Sequence, residues 1–229
     1  MAIESWKRLT ADERKTQLIE LGIELFNSRH YSEISVDDIA REAGISKGLL
    51  YHYFPSKEEF FVAGVEHGAE MLIRACDPPR ELPQPEQIKR ALGGYLDYVE
   101  ENSFGYLNIF RGETAALPGI VRVCDRTRAA IGARLLEGVE LPDRELVATR
   151  AAIRSFQGFF EALVLDWVEG RGITRQQIEM MSLVSAITSM YTGLMIDLGA
   201  DSAEVRERVA RASETLEMLE REYGFKLPL

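Results

Sequence analysis

The segment Ser35–Lys57 reads SVDDIAREAGISKGLLYHYFPSK and predicts two short helices joined by a tight turn. Ser35 is followed three residues later by an acidic residue, which is the pattern of a capping box at the start of a helix. Gly44 suits the left-handed backbone conformation that ends many helices. Ser46 then follows as the N-cap of the second helix. The segment is therefore a predicted helix-turn-helix.

The second helix, predicted from Lys47 to Phe54, has an unusual outward surface. Leu50 and Phe54 are four residues apart and can face inward, which leaves two tyrosines, a histidine and a leucine on or near the other face. Such side chains can contact phosphates, base edges and thymine methyl groups, although a structural hairpin with exposed aromatic residues is the alternative. The predicted DNA-contacting residues are Ser35, Ser46, Lys47, Gly48, Leu49, Tyr51, His52, Tyr53 and Lys57.

The segment Ile45–Phe60, ISKGLLYHYFPSKEEF, closely resembles the signature of the TetR family of bacterial transcriptional regulators. The resemblance extends from about Thr10 to about Val65, and beyond it only length and helical layout are similar. It implies an all-α, homodimeric protein that binds double-stranded operator DNA and changes its affinity when a small ligand binds.

The charge of the chain limits how it can bind DNA. The net charge is −10, and residues 1–60 contain eight Lys and Arg residues against eleven Asp and Glu residues. A general nucleic-acid coat would be basic, so specific binding must depend on a few placed cations. Lys47 is the best candidate on the second helix. Lys57, at the start of the next helix, could meet a phosphate beside the helix N-terminus.

Enzymatic and metal-binding motifs are missing from the sequence. The three histidines, His30, His52 and His67, have no metal-ligand spacing with each other or with a cysteine. Nucleophile-elbow, phosphate-loop and dinucleotide-binding patterns are also missing. We therefore expect no enzyme, no metal and no cofactor. Cys76 and Cys124 indicate buried free thiols in a reducing compartment, and no apolar run is long enough to span a membrane, so we expect a cytoplasmic protein.

Capping patterns and breaks predict the domain organisation. Residues 1–56 form the DNA-binding domain, which includes a first helix opened by Thr10, and a connecting helix opened by Ser56 covers 57–76. Residues 77–229 form a ligand-binding and dimerisation domain, which begins with a proline-rich linker. Its predicted helices lie at about 86–101, 103–112, 119–138, 143–170, 174–198 and 202–223.

Aromatic residues of the second domain predict an apolar effector site. The candidate ligand-binding residues are Met71, Tyr95, Tyr98, Phe104, Tyr106, Phe110, Arg111, Phe156, Phe160 and Trp167. Ordinary core packing is the alternative for each of them. The segment Tyr95–Arg111 is similar to that of regulators in this family that sense long acyl chains or their coenzyme A thioesters.

The helices at about 143–170 and 174–198 carry many small residues, which permit close helix packing. Packing within one subunit is one interpretation, but the family resemblance assigns this pair to a homodimer interface; whether the helix at 202–223 joins it stays open. The resulting hypothesis is a ligand-responsive repressor. The alternative is a structural DNA-binding protein of the same fold that answers to a protein partner and has no small-molecule effector.

Overall fold

The computed structural model describes residues 10–137 and 146–199, with a few isolated positions beyond residue 199. Across these described residues the regular secondary structure is helical, which confirms the predicted all-α class. The helices are α1 Ala11–Phe26, α2 Val36–Glu42, α3 Lys47–Tyr53, α4 Lys57–Ala75, α5 Gln84–Glu101, α6 Ser103–Phe110, α7 Pro118–Glu137, α8 Val147–Val168 and α9 Arg175–Leu198. A single 3-10 turn covers Tyr31–Glu33. The predicted helix at 202–223 lies outside the continuously described residues.

Local signals start and stop these helices as the sequence predicts. Thr10, Ser35 and Thr174 each cap a helix. In every case the side chain of the third helical residue accepts a hydrogen bond from the backbone N–H of the capping residue. Gly44 has φ of 65°, the left-handed conformation expected after α2. These caps satisfy backbone N–H groups that would otherwise lack partners at helix starts.

The chain divides into two compact units, each with its own contacts. The first unit takes the described part of Met1–Arg74 together with Tyr98–Thr127, and the second takes Ala75–Asp97 together with the described part of Arg128–Leu229. The first unit therefore includes α6, which the sequence prediction assigned to the second domain. The predicted boundaries after residues 56 and 76 stay predictions of functional domains.

Phe60 is the centre of the core of the first unit. Its ring lies 5.9 Å from the ring of Phe26 on α1 and 5.0 Å from that of Phe54, the residue that ends α3. A Cβ added at Gly22 would approach the Phe60 ring to 2.8 Å, so the glycine makes room for it. The ring thereby joins α1, α3 and α4.

In the second unit, α8 and α9 pack along their length. A Cβ at Gly193 would lie 2.5 Å from Cα of Thr149, so this glycine lets the two backbones approach closely. The carboxylate of Asp197 accepts hydrogen bonds from the N–H groups of Ala148 and Thr149 at 3.0 and 2.8 Å and thus caps α8. Gly193 and the buried Ser182 are two of the small residues of α9, and both serve packing within the subunit, which was the alternative interpretation of the small residues.

Among the described helices, α9 is long and apolar enough to cross a membrane by length and composition. Core helices of soluble proteins pass the same test, and the inward side of α9 is occupied by α8.

Two adjacent glycines on α5 provide a matched test of backbone packing. A Cβ at Gly94 would overlap the carbonyl oxygen of Ala75, whereas a Cβ at Gly93 would meet no atom within 4 Å. We expect Gly94→Ala to lower the free energy of unfolding by about 1–3 kcal/mol, because a backbone atom cannot rotate away. Gly93→Ala should raise it by roughly 0.5–1 kcal/mol through helix propensity. Urea unfolding at one protein concentration measures both, and equal effects would contradict the packing of α5.

Candidate nucleic-acid interface and effector residues

The second helix of the helix-turn-helix is held in place by its cap and by two buried side chains. The Ser46 hydroxyl accepts a hydrogen bond from the N–H of Leu49 at 3.2 Å. Leu50 and Phe54 are both 3% exposed, as their spacing predicts. The N–H of Ile45 donates to the carbonyl of Ala40, which closes the turn between α2 and α3. These contacts, together with the packing of Phe54 on Phe60, set the orientation of α3.

The opposite face of α3 is open to solvent. Lys47, Gly48, Tyr51 and His52 are exposed, and Tyr51 keeps 47% of its surface accessible. Leu49 is half-buried. Tyr53 is also half-buried and packs against the core of the first unit, so it faces inward more than the sequence suggested. The exposed side chains can reach a partner, and their contact with DNA stays a prediction.

Acidic side chains accompany the cations of this region. Lys47 Nζ lies 2.6 Å from Asp37 Oδ1, and that hydrogen bond raises the pKa of Lys47. Arg41 pairs with Asp38, whose pKa is lowered mainly by the hydroxyl of Ser35 and then by its backbone N–H and by Arg41. Ser35 therefore acts in the cap of α2. Sequence reasoning missed Asp37, although its place in the first turn of α2 marks it as an exposed acid.

A third pair of the same kind joins Arg29, which follows α1, to α2. Its Nη2 lies 2.5 Å from Oε1 of Glu42. Both side chains remain about one-third exposed.

Lys57 is committed to a contact inside the protein. Its ammonium group lies 3.9 Å from the centre of the Tyr31 ring and donates a hydrogen bond to the Tyr31 carbonyl. Burial lowers the pKa of Lys57, an effect that Glu113 opposes. The group is thus already in contact with Tyr31 in this structure, and its contact with a phosphate stays a prediction.

The buried amide of Asn108 on α6 fastens the turn that follows α1. Its Nδ2 donates to the carbonyls of Phe26 and Arg29 at 3.2 and 3.4 Å. Its Oδ1 lies 2.9 Å from Nδ1 of His30. The hydroxyl of Thr114 donates to the Asn108 carbonyl at 2.8 Å. Asn108 is only 7% exposed, so this polar side chain is satisfied by specific partners.

Three further contacts support the same junction. Asn27 Nδ2 donates to Asn102 Oδ1 at 2.8 Å, and the N–H of Ser32 donates to Glu113 at 2.6 Å. A Cβ at Gly105 would overlap the side chain of Asn27. We call these contacts, together with those of Asn108, the α6 junction. Sequence reasoning missed it because its partners are 75–82 residues apart.

The predicted effector residues fall in both units. Those in the second unit are Tyr95, Phe156, Phe160 and Trp167, and those in the first are Met71, Tyr98, Phe104, Tyr106, Phe110 and Arg111. In the second unit, the ring of Phe160 lies 4.9 Å from that of Tyr95 and 6.1 Å from that of Phe156. These three buried rings form one cluster, and Trp167 is half-buried.

The first-unit members have more varied surroundings. The rings of Tyr106 and Phe110 lie 4.6 Å apart, and the ring of Phe104 lies 5.1 Å from His30. Burial raises the pKa of Tyr98. Met71 and Arg111 are exposed.

Metal and thiol chemistry have little support in the described part of the chain. No group of three or more His, Cys, Asp and Glu residues there could hold a metal ion. Cys76 is buried, and burial raises its pKa to about 12. Cys124 is only half-buried, which corrects the expectation of two buried thiols.

Two family models match the chain. The model described as bacterial regulatory proteins, tetR family, matches residues 18–63, and the one described as tetracyclin repressor-like, C-terminal domain, matches residues 85–190. Together the matched segments span well over half of the chain.

Similar proteins are named as transcription regulators. The activator FasR of Mycolicibacterium smegmatis is 30% identical over 49% of this chain and 52% of its own length. The regulator EthR of the same organism is 37% identical over 41% of this chain and 34% of its own length. The chain thus spans about half or less of these two relatives. A tetR-family transcriptional regulator from Streptomyces coelicolor has a crystal structure with a TM-score of 0.77 and 27% identity, covering 94% of this chain and 100% of that one.

Proposed function

Because the chain belongs to the TetR family of bacterial regulatory proteins, we propose that it is a homodimeric regulator of transcription that binds a pseudo-palindromic operator. The exposed surface of α3 is the observation that carries this proposal. Its cap and its buried Leu50 and Phe54 hold the helix, while Lys47, Gly48, Tyr51 and His52 remain accessible. A rigid helix with such an outward face fits the major groove. Two subunits would then contact half-sites about 34–36 Å apart, or a multiple of that distance.

Tyr51 provides the first test, on operator DNA selected from genomic fragments that the purified protein retains. We expect Tyr51→Ala to weaken operator binding about 5–150-fold, since one good base contact contributes roughly 1–3 kcal/mol to discrimination. Val121→Ala is the control, because Val121 on α7 is similarly exposed, at 43% against 47%. Normal operator affinity of a folded Tyr51→Ala variant would contradict the assignment of α3.

Three exposed apolar residues of α8 and α9 support the proposed dimer. Phe159 and Met195 are 37% and 38% exposed, and Met181 is 37% exposed. Gly158, beside Phe159, is open to solvent and meets no atom within 4 Å. Since large exposed apolar patches mark interaction surfaces, we propose that two copies of this helix pair form a four-helix interface.

A charge placed at Phe159 on α8, or at Ser185, one of the small residues of α9, tests this interface. Phe159→Glu and Ser185→Glu should convert the dimer to monomers, because each would bury an unpaired carboxylate between subunits. Val121→Glu makes the same chemical change on exposed α7 and should leave the dimer intact. Light scattering coupled to gel filtration measures the mass. If Phe159→Glu and Ser185→Glu both remain tight dimers, the interface lies elsewhere.

We propose that a small, largely apolar effector releases the protein from DNA, which makes it a repressor. The buried cluster of Tyr95, Phe156 and Phe160 and the aromatic residues of α6 are its candidate contacts. The effector class, a long acyl chain or acyl-coenzyme A, rests on the similarity of Tyr95–Arg111 to acyl sensors. FasR is named an activator, so a reporter fused to the operator decides the direction of regulation.

A palmitoyl-coenzyme A titration tests the effector and locates its site. A ligand coupling of about 1–3 kcal/mol would weaken operator binding about 5–150-fold, and by linkage saturating operator must weaken ligand binding by the same factor. Phe160→Leu should reduce the response if the second-unit cluster binds the chain, whereas Phe110→Leu should do so if the first unit binds it. Equal ligand affinity with and without operator would rule out this effector.

The alternative of a DNA-binding protein controlled by a protein partner is not favoured, because both relatives described above are named as transcription regulators. We further propose that the protein acts in the cytoplasm, without catalytic activity, metal or cofactor.

A further inference from the structure

The cations of the helix-turn-helix are balanced before DNA arrives. Arg29, Arg41 and Lys47 are the three Lys or Arg residues between positions 27 and 54, and each lies beside a carboxylate. Lys47 is the only one on α3, and its partner Asp37 belongs to the first turn of α2. The pair therefore joins α3, the proposed DNA-reading helix, to α2.

This pairing weakens binding to random DNA. Binding without sequence preference comes from cations that replace the counterions of the phosphates. A phosphate of random DNA that lies out of reach of Lys47 in its place beside Asp37, at 2.6 Å, can be met only if the pair opens, and Asp37 repels that phosphate at short range. The side chains are 52% and 65% exposed, so the pair can open, but each random site meets the same penalty.

At the operator the same pair has a different effect. An ammonium group has three donors, so Lys47 can keep Asp37 and still donate to an acceptor on the DNA. A lysine that is already held loses less conformational freedom when it binds. Asp37 is suited to hold it, because the capping box of Ser35 and Asp38 fixes the start of α2.

We propose that Asp37 is a positioning residue that determines specificity: it holds the Lys47 ammonium where the operator accepts it and withholds it from random DNA. This inference rests on the proposed DNA-binding function. An acidic residue thus contributes to the discrimination between operator and random DNA, although its own negative charge repels DNA.

The experiment compares Asp37→Asn with Glu70→Gln in the full-length protein. Glu70 on α4 is also exposed and also pairs with a cation, Arg74 at 3.9 Å, but it lies about 20 Å along α4 from Lys57. Both variants change the net charge by the same amount. Dissociation constants are measured on the selected operator and on a random-sequence duplex of equal length, over a range of salt concentrations.

We expect Asp37→Asn to tighten random-duplex binding about fivefold at low salt, the scale of one unit-charge contact in water. The slope of log K against log salt should steepen by about 0.9, as for one more phosphate neutralised. Operator affinity should stay the same or fall, so the specificity ratio falls about fivefold or more. Glu70→Gln should leave the specificity ratio unchanged. Asp37→Glu keeps the carboxylate and should therefore retain the wild-type ratio.

Equal tightening on both DNAs, or an unchanged ratio in Asp37→Asn, overturns the inference. The combined Asp37→Asn and Lys47→Ala variant adds a second readout, since its effect should depart from the sum of the single effects if the residues act together. If the wild-type protein retains no specific DNA, the proposed function itself fails, which is a separate outcome.

Discussion

The orientation of α3 depends on the packing of the Phe60 ring. This ring packs on Phe26 of α1 and on Phe54 at the end of α3, and Gly22 leaves the space that it fills. A surface helix of seven residues is too short to be stable alone, so its orientation must come from such packing. Any tilt of α4 moves Phe60 and, through Phe54, moves α3. The aromatic core is thus the scaffold of α3.

The α6 junction holds the turn that follows α1. α4 is covalently continuous with the helix-turn-helix, whereas α6 contacts the end of α1 and the turn that follows it, through the side chains of Asn27, Asn102 and Asn108. Separating a buried amide from its partners leaves polar groups unsatisfied at a cost of about 1–3 kcal/mol, which is the size of a typical allosteric coupling. Opening the junction would therefore need a ligand whose affinities for the closed and open arrangements differ by about this amount.

The features that could be predicted from sequence are those made by near neighbours. Thr10, Ser35 and Thr174 cap their helices with partners three residues away, and Gly44 adopts its left-handed turn for local reasons. The contacts of Asn108 with His30, of Lys57 with Tyr31 and of Gly193 with Thr149 join residues 26–78 positions apart. An isolated asparagine, lysine or glycine carries no sign of such a partner. This is why the outward face of α3 was foreseen, whereas the contact of Lys57 with Tyr31 was not, and the inward packing of Gly193 was only the alternative interpretation.

The electrostatics of the chain shape how it can recognise DNA. With a net charge of −10, the protein does not attract DNA over long distances, and beyond a Debye length of about 8 Å its field is largely screened. In the proposed interface, attraction must arise at contact, where Tyr51 and His52 are exposed and Lys47 is held by Asp37. Contact forces depend on shape and on donor placement, which differ between sequences, whereas phosphate charge does not. A charge-balanced α3 surface would therefore lower the rate of association and the affinity for DNA of any sequence. It would keep the part of the binding free energy that distinguishes one site from another.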